Sequence, residues 1–266
     1  MGIGGKPDQL LNVEKVREDG VLAIKRFSGG GTVVVDHSSL WTTFIGRNVD
    51  FPHVEPFPRS IMEWSANDVF SNVFKRMKSD ALMSNGGKKQ TLVMDSKSCG
   101  LVQGNGRTFP SGAEEVQEQD FPDFALREND YVLGERKMGG NAQSIVKGGW
   151  LHHTSFLWDF ENEHMEYLSL PKKRPDYRGS RNHDDFLVKL KSVYGTIGDD
   201  SSSKRAFFYH VKSASQDAFD LEEVGLKEAM KVVDDELGGM QKWFDGKCRT
   251  RILDVRERTT PAINVW

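Results

Sequence analysis

The sequence predicts an α+β domain: mostly antiparallel sheet with helices packed on it. Three observations carry this. Two successive hairpins are written into residues 131–158, with Gly134-Glu135 and Lys147-Gly148-Gly149 as their turns. Ile61, Trp64, Val69, Val73 and Met77 recur at helical spacing, and Leu226, Met230, Val233 and Leu237 share one face of a second helix. Strands and helices thus alternate irregularly along the chain rather than as repeated strand–helix–strand units.

In chain order, Val21-Leu-Ala-Ile24 and Thr32-Val-Val-Val35 read as two strands joined through Lys25-Arg26-Phe27-Ser28-Gly29-Gly30-Gly31. The amphipathic helix of residues 59–77 follows Pro58, which suits a first helical turn. Residues 79–120 are rich in Ser, Asn, Gly, Lys and Gln and are expected to form an inserted, flexible loop. The two hairpins then extend an antiparallel meander. Residues 195–206, with Gly198-Asp-Asp-Ser-Ser-Ser203, read as a second flexible insertion, and Asp220-Leu-Glu-Glu223 as the capping box of the 226–237 helix, which Gly238-Gly239 should end. A single domain over residues 1–266 is expected.

The chain has 266 residues, 36 Lys plus Arg against 39 Asp plus Glu, and a net charge of −3, so no global positive field exists to hold nucleic acid. Sixteen Phe and six Trp supply a core despite a hydrophobic fraction of 37%. Cys99 and Cys248 lie in unrelated surroundings, which excludes a disulfide framework and a cysteine-built zinc site. With no apolar run of spanning length and no signal-peptide pattern, an intracellular protein without membrane association is expected, its compartment open.

Three glycines in a row imply unusual backbone angles or a backbone that something must approach closely; the alternative is a mobile hairpin loop. Arg26 and Ser28 beside them offer donors for phosphate. Lys137, entering the glycine-rich Gly139-Gly140-Asn141-Ala142, suits a fixed charge beside a developing phosphate anion, or is a solvated strand lysine. Asn129-Asp130 reads equally as an Asx turn. His152 and His153, adjacent on a strand, must face opposite sides of the sheet and do not share a metal. Neither a Walker loop nor a dinucleotide-binding glycine fingerprint is present.

Together, Lys25-Arg26-Phe-Ser28-Gly29-Gly30-Gly31-Thr-Val-Val-Val-Asp36, then Asn129-Asp130-Tyr-Val, then Arg136-Lys137-Met-Gly-Gly-Asn-Ala142-Gln143, then His152-His153, resemble the lipoate-protein ligase family in its eukaryotic branch, over roughly residues 1–190. The resemblance implies a biotin/lipoate ligase-like, class II synthetase-like catalytic domain. It also implies a two-step reaction: lipoate or octanoate and ATP, with Mg²⁺, form an acyl-adenylate, and the acyl group passes to a lysine of a lipoyl carrier domain. That carrier would be a 2-oxoacid dehydrogenase E2 or a glycine cleavage H-type protein.

By the same match Lys137 is the catalytic lysine. Arg26, Ser28, Gly29, Gly30 and Gly31 would line the acyl and phosphate path, and Asp130 with Asn129 would place Mg²⁺. Thr32, Val33 and Val34 would offer backbone groups to the adenine, Ala142 would border the adenylate, and His153 would lie by the acyl tunnel. The sequence departs from the family in several places. Met1–Gly5 resembles the end of a family strand, so the strand and helix before it are expected to be missing. Val35 stands where many ligases carry His, Gly139 where Ser is common, and Thr154-Ser155 where Gly-Thr is familiar. Two alternatives remain: an octanoyltransferase of the same fold, whose expected cysteine is absent from Ser180-Arg181-Asn-His-Asp184, and a non-catalytic relative that binds a lipoyl domain or nucleotide. Lys172-Lys173-Arg174 is either solvated surface or a steering patch for an acidic carrier.

Overall fold

The computed structural model describes residues 1–85, 90–95, 98–103, 121–169, 175–195 and 198–253. Two short helices, α1 (Pro7–Leu10) and α2 (Val13–Glu18), precede β1 (Ala23–Lys25) and β2 (Leu40–Arg47). Next come α3 (Pro58–Trp64), a π-helical turn (Ser65–Phe70) and α4 (Ser71–Asn85). The strands β3 (Gln90–Asp95), β4 (Ser98–Gln103), β5 (Phe124–Arg127), β6 (Asp130–Leu133), β7 (Arg136–Val146) and β8 (Gly149–Phe156) follow. The remainder is helical: α5 (Asn162–Met165), a 3-10 turn (Asp176–Arg178), α6 (His183–Phe186), α7 (Leu190–Tyr194), α8 (Asp200–Gln216), α9 (Leu226–Leu237) and α10 (Met240–Lys247), closed by β9 (Arg251–Leu253).

The α+β expectation holds. The main sheet is antiparallel, five strands in the order β2-β8-β7-β6-β5, with β1-β9 and β3-β4 as separate pairs. Both hairpins occur at their predicted turns, and Gly134 takes the left-handed φ of +57° that its turn requires. The 58–85 helix packs on one sheet face. Ile61, Val69, Phe70, Val73 and Met77 meet Tyr131, Met138, Trp150 and Phe156, all buried, and α8 adds Ala206 and Phe207. Among the described residues no helix is long and apolar enough to cross a membrane.

Four local expectations are corrected. Thr32–Val35 is not a strand: β7 already has β6 and β8 on its two edges, so no ladder is open to it, and β1 pairs with β9 instead. Residues 200–206 are the start of α8 rather than a flexible insertion, because the Asp199 carboxylate caps the Ser202 N–H at 2.7 Å and Ser203 and Ala206 are buried. The 226–237 helix is capped not at Asp220-Leu-Glu-Glu223 but five residues later, at Gly225, whose N–H donates to the Glu228 carboxylate. Within the expected loop 79–120, residues 79–85 continue α4 with Ala81 buried, and β3 pairs with β4; residues 86–89, 96–97 and 104–120 lie outside the described residues. So do 196–197 and Lys172-Lys173-Arg174.

Candidate active site

The sheet face opposite the helices carries the candidate site. The register sets it: Gly140 pairs with Ser155 and Ala142 with His153 between β7 and β8, while Trp41 pairs with Ser155 and Thr43 with His153 between β8 and β2. Alternation puts these side chains on one face and His152, Thr154 and Phe156 on the other.

Lys137 reaches this face because a β-bulge between Tyr131 and Val132 shifts the pairing of β6 with β7. Its Nζ lies 2.7 Å from Asp130 Oδ1, in an ion pair whose Asp130 side chain is buried and whose Lys137 side chain is one-quarter exposed. The amine lies over Gly140: a Cβ there would come 3.6 Å from both Lys137 Nζ and Ser155 Oγ. The other carboxylate oxygen, Asp130 Oδ2, accepts from Tyr177 Oη at 2.9 Å. Burial and the neighbouring Asp130 carboxylate push the Tyr177 phenol up, so it stays protonated as a donor. The Arg127 guanidinium lies 4.8 Å from the centre of the Tyr177 ring and the Tyr177 N–H donates to Glu128 Oε1, which fixes the ring.

The glycine loop forms the second wall. Arg26 lies inside it, with Nε donating to Ser28 Oγ at 3.0 Å and Nη2 donating to Gly29 O at 2.7 Å and Gly31 O at 2.8 Å. Three of the five guanidinium donors are therefore committed to shaping the loop. The Gly29 N–H donates to Gln143 O at 3.0 Å, which seats the loop on β7. Gly30 has φ +89°, and a Cβ there would come 2.9 Å from Ala142 Cβ, Arg26 Nη2 and Asn141 O. Only at this position of the three does the close approach inferred from sequence become a steric requirement. Past the loop, Val34 packs on Phe160, Met165, Phe186 and Leu187, and Val33 is half-buried. Thr32 Oγ1 is buried without a hydrogen-bond partner among the described residues.

The two histidines do face opposite ways. His153 Nδ1 is 3.0 Å from Thr43 Oγ1, with Phe27 and Trp41 edge-on to its ring at 6.2 and 6.4 Å. Burial and the Arg26 charge lower its pKa. His152 is wholly buried, bonded to Ser65 Oγ at 3.0 Å and to the Gln143 amide at 2.9 Å. Burial, with His153 adding repulsion, lowers its pKa to about 3 and holds it neutral.

Asn129 and Asp130 do not form an Asx turn: Glu128 and Asn129 are the two turn residues between β5 and β6, Asp130 opens β6, and Asn141 Nδ2 holds the Asn129 carbonyl at 3.2 Å. As a metal site this offers one carboxylate, already bonded at both oxygens, and an exposed amide. Among the described residues no three His, Cys, Asp or Glu side chains gather for an ion. That donor set suits Mg²⁺ only in its usual mode, with phosphate oxygens and waters as the other ligands. Arg26, Ser28, Gly29, Gly30, Ala142, His153, Asp130 and Lys137 are thus gathered on or beside one sheet face. Reading the sequence missed Tyr177, which arrives from 47 residues beyond Asp130, and Trp41, whose only signal was alternation within a strand.

Comparisons with known proteins bear on the family and the fold. A family model for the lipoyl protein ligase A/B catalytic domain matches residues 1–201. Inactive lipoate–protein ligase 2 of Plasmodium falciparum (isolate 3D7) is 29% identical over 203 residues, covering 72% of this chain and 47% of that protein. The chain therefore spans about half the length of this curated relative. Among solved structures, protein Ta0514 of T. acidophilum, a candidate lipoate protein ligase with bound lipoic acid, matches with a TM-score of 0.50 at 13% identity, covering 89% of this chain and 77% of that one. P. falciparum LipL1 in complex with lipoate gives a TM-score of 0.48 at 17% identity, covering 88% and 52%. Likeness at these identities concerns the fold; the family rests on the match to residues 1–201. The chain belongs to the lipoyl protein ligase A/B catalytic-domain family.

Proposed function

We propose that this chain activates lipoate or octanoate with ATP and transfers the acyl group to a lysine of a lipoyl carrier domain. The observation that carries the reading is the Lys137 amine, held over side-chain-free Gly140 on the face where the glycine loop seats. In the first step a carboxylate oxygen of the acid bonds to the α-phosphorus of ATP and pyrophosphate leaves. Negative charge gathers on the phosphorus oxygens, and a fixed ammonium beside them stabilises it; a preorganised donor of this kind is worth roughly 3–4 kcal/mol. Asp130 and Tyr177 hold the amine in place, so little reorganisation accompanies the reaction. Asp130, with Asn129 beside it, would hold Mg²⁺, which when bound neutralises phosphate charge. In the second step the carrier amine bonds to the acyl carbon and loses a proton, and AMP leaves as the mixed-anhydride C–O bond breaks. The loop from Gly29 to Val34, with the orphaned Thr32 hydroxyl, is the surface offered to the adenylate.

The P. falciparum relative, named inactive, supports a second reading in which the site binds its ligands without turnover. The intact mass of an E2 lipoyl domain or a glycine cleavage H-type protein, after incubation with this protein, ATP, Mg²⁺ and either acid, separates the two. The ligase reading expects ATP-dependent acylation that Lys137→Ala abolishes. Acylation without nucleotide would replace it with acyl transfer, and binding of the acid with no acylation would favour the second reading.

A further inference from the structure

We infer that Trp41 closes the far end of the acyl slot and makes the site favour lipoate over octanoate. The inference rests on the proposed function and deepens it. Gly140, Ser155 and Trp41 are consecutive cross-strand neighbours on β7, β8 and β2, all on the site face. The first two offer almost no side chain, so they make a floor that begins under the Lys137 amine. Two inter-strand spacings, about 10 Å, separate Gly140 from Trp41. That is close to the length of an extended eight-carbon acid.

With its carboxylate at Lys137, the tail of such an acid would cross Ser155 and reach the indole. There the surroundings turn aromatic: the Trp41 and Phe27 rings both stand edge-on to His153, which Thr43 fixes through Nδ1. Trp41 is 37% exposed, so part of its ring remains uncovered by protein. The two acids differ at this end alone, where lipoate carries a dithiolane ring and octanoate a methyl terminus. Divalent sulfur gains attraction at aromatic edges and faces that a methyl group does not match.

The test measures lipoate and octanoate binding to the whole chain by calorimetry, alongside thermal melting. Wild type is expected to favour lipoate, Trp41→Ala to reduce the lipoate-to-octanoate ratio about three- to tenfold, and Trp41→Phe to restore most of it. Decanoate should gain affinity in Trp41→Ala, because the slot is then open at that end. An unchanged ratio in a folded Trp41→Ala that still binds both acids would overturn this inference and leave the acyl site standing. If wild type binds neither acid, the inference and the proposed function both fail.

Discussion

Replacing Gly30 by alanine separates the shape of the glycine loop from its mere flexibility. At φ +89° an L-residue is strained by about 1–3 kcal/mol before any contact is considered. The new Cβ would then lie 2.9 Å from Ala142 Cβ and Asn141 O on β7, both rigid, and 2.9 Å from Arg26 Nη2. Only the guanidinium can yield, and moving it breaks its bonds to Gly29 O and Gly31 O. Each hydrogen bond to a charged group contributes about 1.5–3 kcal/mol. The loop therefore lifts from β7 at a cost of at least about 2 kcal/mol, which weakens acyl binding about 30-fold. Gly31→Ala is the internal control: an added Cβ meets nothing within 4 Å, and φ is not positive. Calorimetric titration with lipoate should find Gly30→Ala about 30-fold weaker and Gly31→Ala within about twofold of wild type. Both should melt cooperatively. Equal effects of the two substitutions, or a Gly30→Ala protein that binds normally, would refute the steric argument.

Two further outcomes follow from the same geometry. Tyr177→Phe removes the donor to Asp130 Oδ2 while keeping the ring beneath Arg127, so adenylation should slow about tenfold with melting little changed. An unaltered rate would mean that Lys137 is held without it. His152 gives a pH signature of stability. Its folded pKa of about 3 lies below the ordinary 6.5, so the unfolded chain binds the extra proton. Its contribution is full above about pH 6.5 and is lost at up to about 1.4 kcal/mol per pH unit as the pH falls toward 3. Melting temperatures between pH 6 and pH 4 should fall less steeply in His152→Gln than in wild type, and identical slopes would exclude His152 as the source.

What the sequence made legible was local. The two hairpins announce themselves through Gly134-Glu135 and Lys147-Gly148-Gly149, and the first of them carries both Asp130 and Lys137. Opposite facing of His152 and His153 follows from strand geometry alone. The glycine loop was legible as a place of close approach but not as a loop seated on β7, because that depends on Gly29 meeting Gln143, more than a hundred residues away. Nor could composition distinguish Gly30 from Gly31, since the difference lies in one backbone angle and in Ala142 beneath it. The serines of 201–203 read as a loop because their polarity masks small side chains, one of which, Ser203, is buried in α8. Tyr177 carries no local mark, and Trp41 only the alternation of its strand. They join the site only through tertiary packing and cross-strand register.

Lipoate-dependent exchange of labelled pyrophosphate into ATP reads the first chemical step with no carrier domain present. Wild-type protein should catalyse it, and Lys137→Ala should lose about 100- to 1000-fold while still melting cooperatively. Exchange that survives the loss of that amine would contradict the assignment of Lys137 as the residue that stabilises the adenylation transition state.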